Sequence, residues 1–149
     1  MSKVIIIYHS QEYGNTGQMA EAIAEGVKAA GCEDVKLVNT DNDRVDFEEY
    51  AGCAAVALGS PDYYSYIAGG IKMFMDDWYI YKKTMENLTD KKYALFYSHG
   101  GGGKVATCLE EMGQRLGEKV SQTVESRGTP DNDVLGKCRK LGKTLADSV

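Results

Sequence analysis

The chain has 149 residues, enough for one domain with a sizeable core, and its 43% hydrophobic and 26% charged content excludes disordered and fibrous classes. A formal net charge of −5 argues against nucleic-acid backbones and anionic membranes as partners, and suits docking onto basic protein surfaces. No apolar run approaches the ~20 residues of a spanning helix, and only four strongly apolar residues follow Lys3, so no secretory leader is expected.

Cys32, Cys53, Cys108 and Cys138 lie far apart, with no C-x-x-C pair and no histidine nearby in sequence. No metal site is expected, and free thiols in a cytoplasmic protein are. Residues 1–149 are expected to form a single domain.

In chain order, residues 3–9 read as a strand, because Val4 to Ile7 is a continuous apolar run of the kind buried on both faces of a parallel sheet. Residues 15–30 follow as a helix, with Met19, Ala20, Ile23, Ala24, Val27 and Ala30 on one face and Gly31 as its stop. Asp34 to Asn39 alternates as a second strand. Residues 40–52 are acidic and irregular, with one helical turn around Phe47 to Tyr50. Cys53 to Leu58 is a third strand, broken by Gly59-Ser60-Pro61.

A tyrosine-rich loop leads to a helix over about 68–81, where Ile71, Phe74, Met75 and Trp78 share a face. Lys92 to Ser98 reads as strand four and about 104–116 as a helix. Lys119 to Glu125 reads as strand five by its Val/Thr alternation, and about 132–147 as the last helix. Strands alternating with helices predict an α/β fold: a doubly wound three-layer sandwich around a five-stranded parallel sheet of order 2-1-3-4-5. Ligands of such folds sit beyond the C-terminal strand ends, where the three unusual loops at 10–16, 60–67 and 98–103 converge.

The first loop, Ser10-Gln11-Glu12-Tyr13-Gly14-Asn15-Thr16, joins a strand to a helix start through hydroxyl, amide and glycine residues. Backbone N–H groups and the helix dipole favour a phosphate there. The alternative is an ordinary turn capped by Asn15 or Thr16. The loop has no Lys or Arg, so it is no Walker-type nucleotide site. A second loop, Pro61-Asp62-Tyr63-Tyr64, offers rings that stack on a planar heterocycle or pack within the loop. A third, Ser98-His99-Gly100-Gly101-Gly102-Gly103, exposes main-chain amides to the polar edge of such a ring. His99 is either a donor to the ligand or a loop residue bonded to its neighbours. A phosphate tail, a stacking plane and an acceptor-rich edge together describe FMN.

Those motifs resemble the flavodoxin superfamily. Ser10 to Thr16 is similar to its S/T-x-T-G-N-T loop with one added residue, and Gly59 to Tyr64 with the Ile71 to Asp76 helix is similar to the NAD(P)H:quinone oxidoreductase branch, as is Ser98 to Gly103. The resemblance implies the flavodoxin-like fold, FMN as cofactor and electron transfer between redox partner proteins, a reductase and an acceptor, with no catalytic side chain. It also implies an alternative: an NAD(P)H-dependent quinone or flavin reductase working by hydride transfer. Aligned on the family, Tyr64 stands where a glycine flips its peptide to stabilise the semiquinone. A non-glycine residue there is expected to resist positive φ. The fourth-strand loop also lacks a second stacking tyrosine. A receiver-type signalling domain shares the strand order but needs clustered acids after strand one, and Tyr8-His9-Ser10 supplies none.

Overall fold

A computed structural model describes residues 3–11 and 13–149. The apolar run after Lys3 is β1 (Val4–Tyr8), followed by α1 (Asn15–Ala29), β2 (Val35–Asn39), α2 (Phe47–Gly52), β3 (Ala55–Pro61), α3 (Gly69–Tyr81) and β4 (Lys91–His99). The chain continues through α4 (Val105–Gly113), a 3₁₀ turn (Gln114–Leu116), β5 (Gly117–Lys119), β6 (Val124–Arg127) and α5 (Asn132–Asp147). The single turn expected near Phe47 is a short helix whose start is capped by Asp46, which accepts from the Glu48 and Glu49 amides.

All pairings in the sheet are parallel and run β2-β1-β3-β4-β5, with β6 also on β4. Alternate residues of β1, β3 and β4 feed two cores. Ile5, Ile7, Val56, Leu58 and Leu95 meet Ile71, Phe74, Trp78 and Leu109 on the α2/α3/α4 side. Val4, Ile6, Ala55, Ala57, Ala94 and Phe96 meet Met19, Ile23, Leu141 and Leu145 on the α1/α5 side. Burial of both faces is why these strands read as unbroken apolar runs. Among the described residues, no helix is long and apolar enough to cross a membrane.

The fifth strand departs from expectation: Lys119 to Glu125 is not continuous. Tyr93 pairs with Lys119 and Phe96 with Val124, so β4 advances three residues while its neighbour advances five. The excess loops out between β5 and β6. Glu110 on α4 gathers the two ends, taking Lys119 Nζ at 2.9 Å and the Thr123 hydroxyl. Val120 and Val124 still pack on the α1/α5 core, so the apolar alternation survives the break.

At the end of the sheet away from the three loops, Lys91 is buried and donates to the carbonyls of Ala51 (3.0 Å) and Cys53 (2.7 Å), satisfying the end of α2. On the other face α1 and α5 touch backbone to backbone. A Cβ added to Gly26 would lie 1.9 Å from the Arg139 carbonyl oxygen, and one on Gly142 would lie 2.1 Å from that of Ile23. Either Gly26→Ala or Gly142→Ala is expected to lower stability by about 1–3 kcal/mol through helix displacement. Urea unfolding checks this, and an unchanged midpoint in both variants would contradict the close approach.

Candidate functional site

A cleft of about 330 Å³ opens at the C-terminal strand ends, lined by the first loop, the ends of β3 and β4, and Gly128 after β6. Of the expected residues it gathers Ser10, Gln11, Tyr13, Gly14, Asn15, Thr16, Pro61, Asp62, Tyr63, Ser98, His99 and Gly100. Glu12 lies outside the described residues. Tyr64 and Gly101 to Gly103 are not in the lining.

The first loop is held from outside by Asn39, at the end of β2. Its side chain accepts from the Ser10 amide (3.1 Å) and donates to the Ser10 carbonyl (3.0 Å), as a neighbouring strand would. Ser10 Oγ in turn accepts from the Gly17 amide at 3.1 Å. Neither Asn15 nor Thr16 caps α1. The cap position is Gly14, left-handed at φ 70, with no side-chain hydrogen bond. The Thr16 hydroxyl instead meets Ser98 Oγ at 2.8 Å in a buried pair that joins the first loop to β4. Asn15 Oδ1 is buried without a hydrogen-bond partner. The start of α1 therefore has no side-chain cap on its amides, and the Asn15 side-chain amide beside it has its oxygen unpartnered.

Beneath the loop, His9 is buried between Thr40 Oγ1 and Gln11 Oε1, each 3.0 Å from a ring nitrogen, and stands edge-on to Tyr63 at 6.0 Å. A Cβ on Gly70 would lie 2.7 Å from His9 Nδ1, so α3 starts against this histidine only because it starts with glycine.

The second loop is a miniature hairpin. Tyr63 and Tyr66 exchange backbone hydrogen bonds of 3.0 and 3.1 Å around Tyr64 (φ 56) and Ser65 (φ 64). Positive φ at both central residues is the primed turn that hairpins favour, built here without glycine. This overturns the expectation that Tyr64 avoids positive φ. Asp62 imposes the conformation: Oδ1 accepts from the Ser65 amide at 2.8 Å, and Oδ2 from the Val105 amide at 3.2 Å. The Tyr64 ring is fully exposed at the tip and meets no clash.

Of the third loop, Ser98, His99 and Gly100 reach the cleft wall, and Gly100 is the one of its four glycines that does. Gly103 folds back over His99 and Glu125, where a Cβ would lie 3.3 Å from His99 Nε2. Sequence reasoning missed Asn39, Gly128 and Glu125. The Gly128-Thr129-Pro130 turn signal was available for the second of these.

Comparison with known proteins agrees with the fold. A sequence model of the flavodoxin family matches residues 6–142. The flavodoxin of Aquifex aeolicus is 31% identical over 170 residues, covering 100% of this chain and 88% of that protein. A coenzyme F420H(2) oxidase of Methanothermobacter marburgensis is 28% identical over 99% of this chain, which spans only 36% of the oxidase. The solved structure of a flavodoxin from the domain Archaea superposes with a TM-score of 0.83 at 28% identity, covering 98% of this chain and 97% of that one.

The left-handed pair at the hairpin tip, Tyr64 and Ser65, is strained backbone beside the cleft. Replacing Ser65 by glycine is expected to raise stability by about 1 kcal/mol. Urea unfolding of the unliganded chain measures it, and a loss of stability would mean that Ser65 makes contacts outweighing its backbone strain.

Proposed function

The chain belongs to the flavodoxin family, whose members bind FMN and transfer electrons, and on that premise we propose that it is a single-domain electron carrier holding FMN in this cleft. The observation that carries the reading is the start of α1 at one end of it, whose backbone N–H groups have no side-chain cap and point donors at an anion. No lysine or arginine stands in the first loop, so its donors are amides and hydroxyls. These suit a monophosphate tail at a helix start better than a triphosphate, which needs a cation beside it.

Asn15, Thr16 and the amides of their turn would hold the phosphate, with Ser10 fixing the loop. Tyr63 would offer its ring to the flavin plane, while His99 and Gly100 face the ring's edge. Bound FMN supplies the redox chemistry, and the protein supplies orientation and electrostatics. The side chains do the rest by staying still. Asn39 fixes Ser10, Thr16 and Ser98 fix each other, and Asp62 fixes the hairpin. The exposed Tyr13 and Tyr64 rings flank the cleft where a redox partner protein would approach.

A second reading is a reductase taking hydride from NAD(P)H to a quinone or free flavin. One observation favours it: the fourth-strand wall is Ser98, His99 and Gly100, with no tyrosine, phenylalanine or tryptophan to cover that side of a bound flavin. The F420H(2) oxidase relatives, of whose length this chain spans about a third, add an oxidase as a system that such a carrier would serve.

The purified chain is expected to take up FMN and show a flavin spectrum. Joint replacement of Asn15 and Thr16 by alanine should weaken FMN binding by about 1–3 kcal/mol in a fluorescence titration. Unchanged affinity would refute the phosphate assignment. Under anaerobic mixing with NADPH alone the carrier stays oxidised, whereas prompt bleaching would establish the reductase instead.

A further inference from the structure

Among the described residues, Asn15 Oδ1, Tyr50 OH and His99 Nδ1 are buried side-chain atoms without a hydrogen-bond partner. The first belongs to the phosphate turn. The second lies beneath α2, beside Lys91 at the far end of the sheet. His99 is different, because it lines the cleft and its other nitrogen is already committed.

Glu125 Oε2 accepts from Tyr97 OH at 3.0 Å and lies 2.9 Å from His99 Nε2. A carboxylate only accepts, so Nε2 carries the hydrogen and the neutral ring is the Nε2–H tautomer, assigned here from its partner. Nδ1 is then a bare lone pair with no donor. Burial and the Glu125 hydrogen bond push the Tyr97 phenol up to about 12, so it remains a donor to Glu125. The Tyr97 and His99 rings stack at 6.0 Å, which fixes the imidazole plane.

Gly103, left-handed at φ 64, closes over the pair. A Cβ there would lie 3.1 Å from Glu125 Oε2. The charged groups on the surrounding elements are Glu125 and Arg127 on β6, Asp62 at the end of β3, Lys104 at the start of α4 and Glu110 within it. Of these, only Glu125 is bonded to the ring. It reaches solvent on its other side, at the polar opening between the β5–β6 excursion and α5.

We propose that His99 is a redox-linked proton site: its Nδ1 takes up a proton when a flavin bound in the adjoining cleft is reduced, and Glu125 is its fixed counter-ion. The proposal rests on the FMN reading above. Two electrons and one proton convert an oxidised flavin to its reduced anion. A second proton, from water, goes to Nδ1. Negative charge added beside the ring favours the imidazolium, and Glu125 holds the cation as an ion pair. His99 is thus a positioning residue for charge, and the reduced state is stabilised more at low pH than the ring's own chemistry would give.

The test is nitrogen NMR of the histidines in FMN-loaded protein near neutral pH, before and after anaerobic reduction by dithionite, which is oxidised to sulfite. His99→Gln assigns the signal by removing it. The expected result is a neutral Nε2–H ring in the oxidised protein and an imidazolium in the reduced one. The midpoint potential is expected to vary with pH as for two protons per two electrons. Glu125→Gln should bring that slope toward one proton. A His99 signal blind to reduction in a yellow protein overturns this proposal alone. A chain that takes no FMN overturns the flavin reading and the proposal with it.

Discussion

A buried contact between two hydroxyls, Thr16 Oγ1 and Ser98 Oγ at 2.8 Å, sets the width of the cleft. The two residues are 82 positions apart, and each sits at a junction: one in the first turn of α1, the other near the end of β4. With Thr16 bonded to Ser98, the start of α1 has no side-chain cap, and Gly14 before it takes the left-handed conformation. With Ser98 held, the β4 end is fixed beside β3, where the Ser98 carbonyl accepts from the Asp62 amide at 2.8 Å. Asp62 then orders the tyrosine hairpin and the start of α4 through its two carboxylate oxygens. One chain of bonds therefore runs from the first loop through the fourth strand to the second loop. Such a fixed frame limits the reorganisation that accompanies electron transfer, because its polar groups are already partnered to one another rather than to water.

Legibility in the sequence followed burial. β1, β3 and β4 were plain because both of their faces are covered and each is a near-continuous apolar run. The three loops were plain because glycine, proline and serine interrupt those runs at the same end of the sheet. The break between β5 and β6 was not legible, since Val120 and Val124 keep the spacing of a continuous strand while Ser121 to Thr123 bulge away. Its cause is Glu110, a residue on a different element. Asn39 was invisible for the same reason. Its role as a mimic of a backbone strand exists only because parallel pairing of β1 with β2 sets Asn39 opposite Tyr8, two residues before Ser10. Residues whose function is a long-range hydrogen bond carry no local pattern.

Tyr64 shows a different failure. The rule that non-glycine residues avoid positive φ is sound as a local energy, yet it was applied to a position where tertiary bonds decide. Reciprocal backbone bonds between Tyr63 and Tyr66, plus the Asp62 carboxylate on Ser65, together outweigh a cost of about 1–2 kcal/mol per left-handed residue. Strain of this kind collects where function needs an unusual shape. Here it lifts one aromatic ring clear of the surface while its neighbour Tyr63 stays against His9 in the cleft wall.

The two histidines divide the site accordingly. His9 has both ring nitrogens within 3.0 Å of protein oxygens, so it is a structural strut whose partners, Thr40 and Gln11, join β2 to the first loop. His99 has one nitrogen satisfied and one bare, although its environment is equally closed. On sequence grounds His99 was either a donor to the ligand or a loop residue bonded to its neighbours; in the structure it is bonded to Glu125 through one nitrogen and unpartnered at the other. An acceptor buried without a donor persists only if the surrounding contacts over-determine the ring, and here they do: the carboxylate on Nε2, the Tyr97 ring alongside and the Gly103 backbone above. The fold therefore keeps an unpartnered ring nitrogen on a histidine at the wall of the cleft, with a carboxylate bonded to the other side of the same ring.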